Sequence, residues 1–337
     1  MPTRVCLAFL CVLAATALQA DPPTVGADAP NFKAKGKLIN PPEFARELKD
    51  CKGDVILIYE WHIRDGTAEG LAHIQTKWAK YAGKGLHVFA IHRLDFEKWP
   101  QVEPYCRDKK YTFCVPMGGF YDESNDFFGY KDGKNFRAGV VGVDGKVAWY
   151  GKDDGWKTAL DAELAKLVYP NLGKHEVHED AKSAAEELGK REFGKALTEA
   201  EKLLAGEVNP EARPDLELIV ERAKGIANAR QERITAWTDE KRYDLVMKTH
   251  ELMKAEFRLH QLGEDAEEAI KALKKDKVIK KELKSFEYLD ALIEKESTGG
   301  WREYANALHA FAKAQSQFKA AEVAEAMAKS LEFEMEE

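Results

Sequence analysis

Beyond its first twenty residues the sequence has no long apolar run, few cysteines and no surplus of basic charge. Each of these lacks excludes something. The one long apolar stretch, Val5 to Leu18 behind Arg4, is fourteen residues, short of the roughly 20 that a spanning helix needs. With Ala20 before Asp21 it reads as a signal peptide over 1–20. The expected product is exported, to a periplasm or to the extracellular space, with no membrane span after signal removal. The formal net charge is −7 and the basic residues gather only locally. The densest group, seven lysines from Lys271 to Lys284, follows the acids Glu264, Asp265, Glu267 and Glu268 and reads as a solvated helix face. Nucleic acid is therefore not an expected partner.

Cysteine is scarce as well. Cys6 and Cys11 leave with the leader, so Cys51, Cys106 and Cys114 remain. An odd number in an oxidising compartment implies one pair and one spare thiol, or no pair at all. Cys106 and Cys114 lie eight residues apart across a helix–strand turn, which makes them the candidate disulfide at the roughly 4.4–6.8 Å Cα separation a bridge requires. The alternative is two separate buried thiols, since cysteine packs as a small hydrophobe.

What is present changes character near residue 170. Before it, Val55–Trp61 and Leu86–Ile91 read as buried strands and Ala68–Ala82 as a helix with Leu71, Ile74, Trp78 and Tyr81 on one side. A second helix is expected over Phe96–Asp108 and a short strand over Thr112–Val115. Ala138–Val143 and Val147–Tyr150 then flank Asp144-Gly145, a two-residue hairpin signal. A closing helix is expected over Trp156–Val168 and a linker over Tyr169–Gly173. This order of parallel strands joined by helices, then an antiparallel hairpin, predicts an α/β domain over 24–168.

From 175 to 337 the apolar residues keep helical spacing only, as in Ala185, Leu188, Phe193, Ala196 and Leu197. Breaks at 206–214, 238–239, Gly263 and 299–300 predict six or seven helices in an all-α hairpin domain. Glu192-Phe193-Gly194-Lys195-Ala196-Leu197 resembles the middle of a tetratricopeptide repeat, and echoes follow at Tyr243 and Phe318. Their spacing is not a multiple of 34, which favours generic helical hairpins.

The segment from Cys51 through Val55–Trp61 resembles the first core strand of exported thioredoxin-like oxidoreductases and peroxiredoxins. Lys84–Phe89, Lys110–Phe113 and Val143-Asp144-Gly145-Lys146-Val147 extend the resemblance. It implies a thioredoxin-like fold for the first half. In that family the strand runs into W-C-x-x-C, a low-pKa thiolate at a helix N-terminus with a second thiol to resolve the mixed disulfide. Here Trp61 is followed by His62 and Asp65 at the two cysteine positions, and no cysteine occurs between Cys51 and Cys106. The family's proline before the final hairpin is also missing. Phe136 stands near that place, and no proline occurs between Pro116 and Pro170.

The vestigial redox positions are thus Trp61, His62, Asp65 and Phe136. His62 and Asp65 can be read as an acid/base pair. They can also be read as a capped helix start with a polar surface residue, the weightier reading because no nucleophile lies nearby in sequence. His62, His73, His87 and His92 lack the i, i+4 spacing of helical metal ligands, and His87 and His92 face opposite sides of one strand. No catalytic residue, metal or cofactor is expected. The expected function is a redox-inactive thioredoxin-like exported protein in protein binding or scaffolding, with a protein or peptide partner held near exposed Trp61, Tyr130 and Phe136. The alternative is a thiol-dependent oxidoreductase or peroxidase using Cys106 and Cys114.

Overall fold

The structure, a computed structural model, describes residues 23–29, 38–42, 48–51, 53–63, 67–92, 101–116, 138–297 and 300–335. The expected signal peptide, Asp65, Tyr130 and Phe136 lie outside the described residues.

The first half runs β1 (Leu38–Ile39), β2 (Val55–Trp61), α1 (Glu69–Tyr81), β3 (Leu86–His92), α2 (Val102–Asp108), β4 (Val115–Pro116), β5 (Ala138–Val141), β6 (Val147–Gly151) and α3 (Gly155–Leu164). The main sheet has the order β3-β2-β5-β6. β3 pairs parallel with β2, while β5 pairs antiparallel with β2 and β6 antiparallel with β5. All seven residues of β2 are buried because helices or loops cover both faces of a central strand. Val55, Leu57, Tyr59 and Trp61 face Leu71 and Ile74 of α1, Tyr105 and Cys106 of α2, and Trp156 of α3. Ile56 and Ile58 face Phe89, Ile91, Cys51, Cys114 and Val141. This is the thioredoxin-like arrangement expected from the sequence.

One local expectation changes. The Gly142 N–H donates to the Lys146 carbonyl at 2.8 Å, so the hairpin loop holds three residues, 143–145, rather than two. Gly145 closes it at φ +78°, the left-handed step such a loop requires. Within the expected linker Tyr169–Gly173, Leu172 and Asn171 are buried.

The second half contains α4 (Glu179–Gly189), α5 (Phe193–Leu204), α6 (Arg213–Asp239), α7 (Tyr243–Glu256), α8 (Gln261–Lys275), α9 (Lys277–Glu296), α10 (Trp301–Ala314) and α11 (Lys319–Met335). Among the described residues eight helices stand where six or seven are expected, one boundary being Asp276, which divides the apolar spacing that runs from Ile270 to Phe286. Its carboxylate accepts from the Val278 and Ile279 N–H groups and so caps α9. Gly263 is not a break. It sits inside α8, where an added Cβ would collide with the Phe257 carbonyl, and the turn lies just upstream at Leu259, φ +68°. The aromatic echoes Phe193 and Tyr243 each open the second helix of a hairpin, after Arg191 (φ +65°) and Lys241 (φ +58°). The 27 residues of α6 stretch the interval beyond a repeat length.

The halves are locked together. Arg107 of α2 reaches Asp244 at 3.4 Å and Asp290 at 3.3 Å. Arg242 bonds the same buried Asp244 at 3.1 Å. Ser330 Oγ donates to the Gln101 carbonyl at 2.8 Å, which seats α11 beside α2.

Candidate functional site

At the C-terminal end of β2, where the resemblance would place the thiols of a dithiol enzyme, the described residues Trp61, His62 and Ile63 are buried. Trp61 is fully buried. Its Nε1 donates to the Ala90 carbonyl at 3.0 Å, and its ring meets His92 edge-on at 4.8 Å and stacks on Tyr105 at 5.6 Å. The expected exposed aromatic at Trp61 is therefore a core residue. An indole this large is held inside once its one polar atom finds a carbonyl.

His62 is also buried, with its ring stacked on His92 at 5.8 Å. Its N–H donates to Thr67 Oγ1 at 2.8 Å, and Tyr59 Oη donates to the Thr67 carbonyl at 2.9 Å. Thr67 thus takes bonds from both His62 and Tyr59 just ahead of α1, which begins at Glu69 behind Ala68, an N-cap without a side-chain cap bond. His62 is therefore not a surface residue, and α1 begins only at Glu69. Asp65 and Phe136 lie outside the described residues.

The expected Cys106–Cys114 disulfide does not form. Both are free, buried thiols, and Cys51 is buried as well. Cys106 belongs to the core on one face of the sheet and Cys114 to the core on the other. The parallel bridge between Phe89 and Cys114 fixes that parity. Burial pushes the Cys106 thiol up, aided by the field of Glu103. Burial also pushes up Cys114, against the opposing charge of Arg233. A thiol held protonated in this way is a poor nucleophile.

Sequence reasoning missed a titratable cluster at the opposite end of the same strands. His87 Nε2 lies 2.9 Å from Asp54 Oδ2, with both residues buried. Cys51 hydrogen-bonds the same imidazole. Burial alone would lower His87, but the field and hydrogen bond of Cys51 and the Asp54 carboxylate outweigh it and raise its pKa to about 10. Asp54 Oδ1 accepts from the Asn171 N–H at 3.1 Å, which ties the cluster to the junction of the two halves. A faint signal existed: Lys52-Gly53-Asp54 precedes the strand, and His87 interrupts an apolar run.

Among the described residues no group of three or more His, Cys, Asp or Glu is placed to hold a metal ion. No helix among them is long and apolar enough to cross a membrane.

No protein-family model matches the chain, and no curated protein matches it. Among solved structures the chain is similar to a provisionally assigned DsbE-type thiol:disulfide interchange protein from Chlorobium tepidum, at 20% identity over 42% of this chain and 96% of that one, TM-score 0.32. It is similar to a thioredoxin-family thiol:disulfide interchange protein from the same organism, at 18% identity over 43% and 98%, TM-score 0.32. It is also similar to the thioredoxin domain of a thiol-disulfide oxidoreductase from Bacteroides vulgatus, at 16% identity over 42% and 98%, TM-score 0.31. These likenesses carry no argument about chemistry, and the fold rests on the strand order and register above.

Proposed function

We propose that the protein is an exported, redox-inactive thioredoxin-like scaffold that binds a protein or peptide partner. The observation that carries the first part is the burial of Cys51, Cys106 and Cys114, with exposures of 1%, 1% and 2%. Dithiol exchange needs an accessible thiolate and a resolving thiol beside it. Cys106 and Cys114 face different cores, and burial raises both thiols, so the oxidoreductase or peroxidase reading is the weaker one.

Binding is supported by a groove of about 520 Å³ between α7 and α9. Met247, Leu283 and Phe286 supply an apolar floor, and Lys274, Lys280 and Lys284 part of its rim. An apolar floor with a charged border suits an amphipathic helix of a partner.

The test uses the mature chain. Thiol titration before and after denaturation, and an insulin-reduction assay, are run on wild type, Cys106→Ser and Cys114→Ser. The reading expects no fast-reacting thiol and no turnover; turnover that both substitutions abolish would overturn it. Leu283→Glu is expected to release a partner that wild type retains. N-terminal sequencing of protein recovered outside the cytoplasm, beginning at Asp21, checks export.

A further inference from the structure

The groove between α7 and α9 has a polarity along its length. At the end nearest α2 the lining acids are matched. Asp244 is held by Arg107 at 3.4 Å and by Arg242 at 3.1 Å. Asp290 is held by Arg107 at 3.3 Å, with Lys248 at 3.9 Å. The same two guanidiniums each lie 5.7 Å from the Phe286 ring, which fixes the apolar floor in place before any ligand arrives. Two lining glutamates, Glu251 and Glu287, then stand against Lys274, Lys280 and Lys284. All five are exposed.

The lysines gather at the other end, where α8 turns into α9. Lys274 lies in the last turn of α8 and Lys280 in the first turn of α9. Lys275, Lys277 and Lys281 are exposed around the same turn. Of the two acids between them, Asp276 turns its carboxylate to the Val278 and Ile279 N–H groups. Glu282 is buried and accepts from the Lys319 N–H at 3.0 Å. One end of the groove is therefore cationic, and like charges along a cleft draw in a ligand of opposite charge. From Lys280 to Asp290 the groove follows α9 for about ten residues, roughly 15 Å, which suits about three turns of a second helix.

We propose that the occupant of this groove is an acidic amphipathic helix of a partner protein. Its apolar residues, at i, i+4 and i+7, cover Met247, Leu283 and Phe286. Its carboxylates sit in the turn that lies over Lys274, Lys280 and Lys284. The inference rests on the binding reading above and adds the charge of the partner and where along the groove that charge lies.

The experiment follows fluorescence anisotropy as the full mature chain is added to either of two labelled peptides of about fourteen residues. Both peptides carry leucine at i, i+4 and i+7. They differ only in the final turn, where the helix dipole adds to negative charge: glutamates in one, lysines in the other. The glutamate peptide is expected to bind saturably and on the order of tenfold more tightly, since a few exposed ion pairs exchanged for like-charge contacts amount to that. Added salt is expected to narrow the difference. In the double variant Lys280→Glu, Lys284→Glu the preference is expected to invert. Both positions are exposed, and an acid in the first turn of α9 suits the dipole, so the fold is kept. Leu283→Glu is expected to weaken both peptides. Equal affinity for the two peptides, or an unchanged preference in the double variant, overturns the acidic partner and leaves the groove as a docking site. Failure of both peptides to bind wild type overturns the inference and, with it, helix binding at this groove.

Discussion

The two ends of the parallel pair β2 and β3 have opposite characters, although both contain histidine. They stand roughly 20 Å apart at about 3.3 Å per strand residue. At the C-terminal end, Trp61, His62 and His92 pack ring against ring beneath Tyr105. At the N-terminal end, His87 is bonded by Asp54 and Cys51 and carries a raised pKa. The end where family resemblance locates chemistry is an aromatic core, and the end where no motif points holds the charge network. Residue type alone does not mark a site; what surrounds each histidine does.

The sharpest way to break this comparison is Trp61→Ala. Removing a fully buried indole is expected to cost about 3–5 kcal/mol in denaturant unfolding; a loss under about 1 kcal/mol would mean that the C-terminal end is open after all. Asp54→Ala comes next. It strips the carboxylate from a buried imidazolium and the acceptor from the Asn171 N–H, and is expected to cost about 3 kcal/mol. Third, the His87 contribution has a definite pH signature. Its folded pKa, about 10, lies above the ordinary 6.5, so the stabilisation is full below pH 6.5 and is lost as pH rises through about 10. Thermal melts between pH 6 and 10 should fall with pH in wild type and fall less in His87→Gln. The smallest effect is expected for Cys106→Ser and Cys114→Ser, about 1–2 kcal/mol each from a buried hydroxyl, with no change in insulin-reduction rate.

Much of the fold was legible in local pattern. The buried strands at Val55–Trp61 and Leu86–Ile91, the hairpin around Asp144-Gly145 and the helical second half all follow from runs and periods that depend on near neighbours. The miscounted helix was a capping event, since Asp276 competes with the apolar period on either side of it. The site was less legible. Nothing in Trp61-His62 reveals that the Ala90 carbonyl satisfies the indole, or that Thr67 Oγ1 accepts from the His62 N–H. The Cys106–Cys114 pair failed for a related reason: eight residues allow proximity in sequence, but the parity of one strand residue assigns the second thiol to the other face.

By itself the sequence determined the thioredoxin-like order of elements, the all-helical second half and the lack of a dithiol motif, because these depend on residue identity and short-range periodicity. Only the tertiary structure decided which histidine meets a buried carboxylate, which thiols are out of reach of each other and where two helices enclose a groove. Those outcomes depend on burial and on partners brought together from distant segments, as when Asn171 closes on Asp54 and α6 brings Arg233 to Pro41.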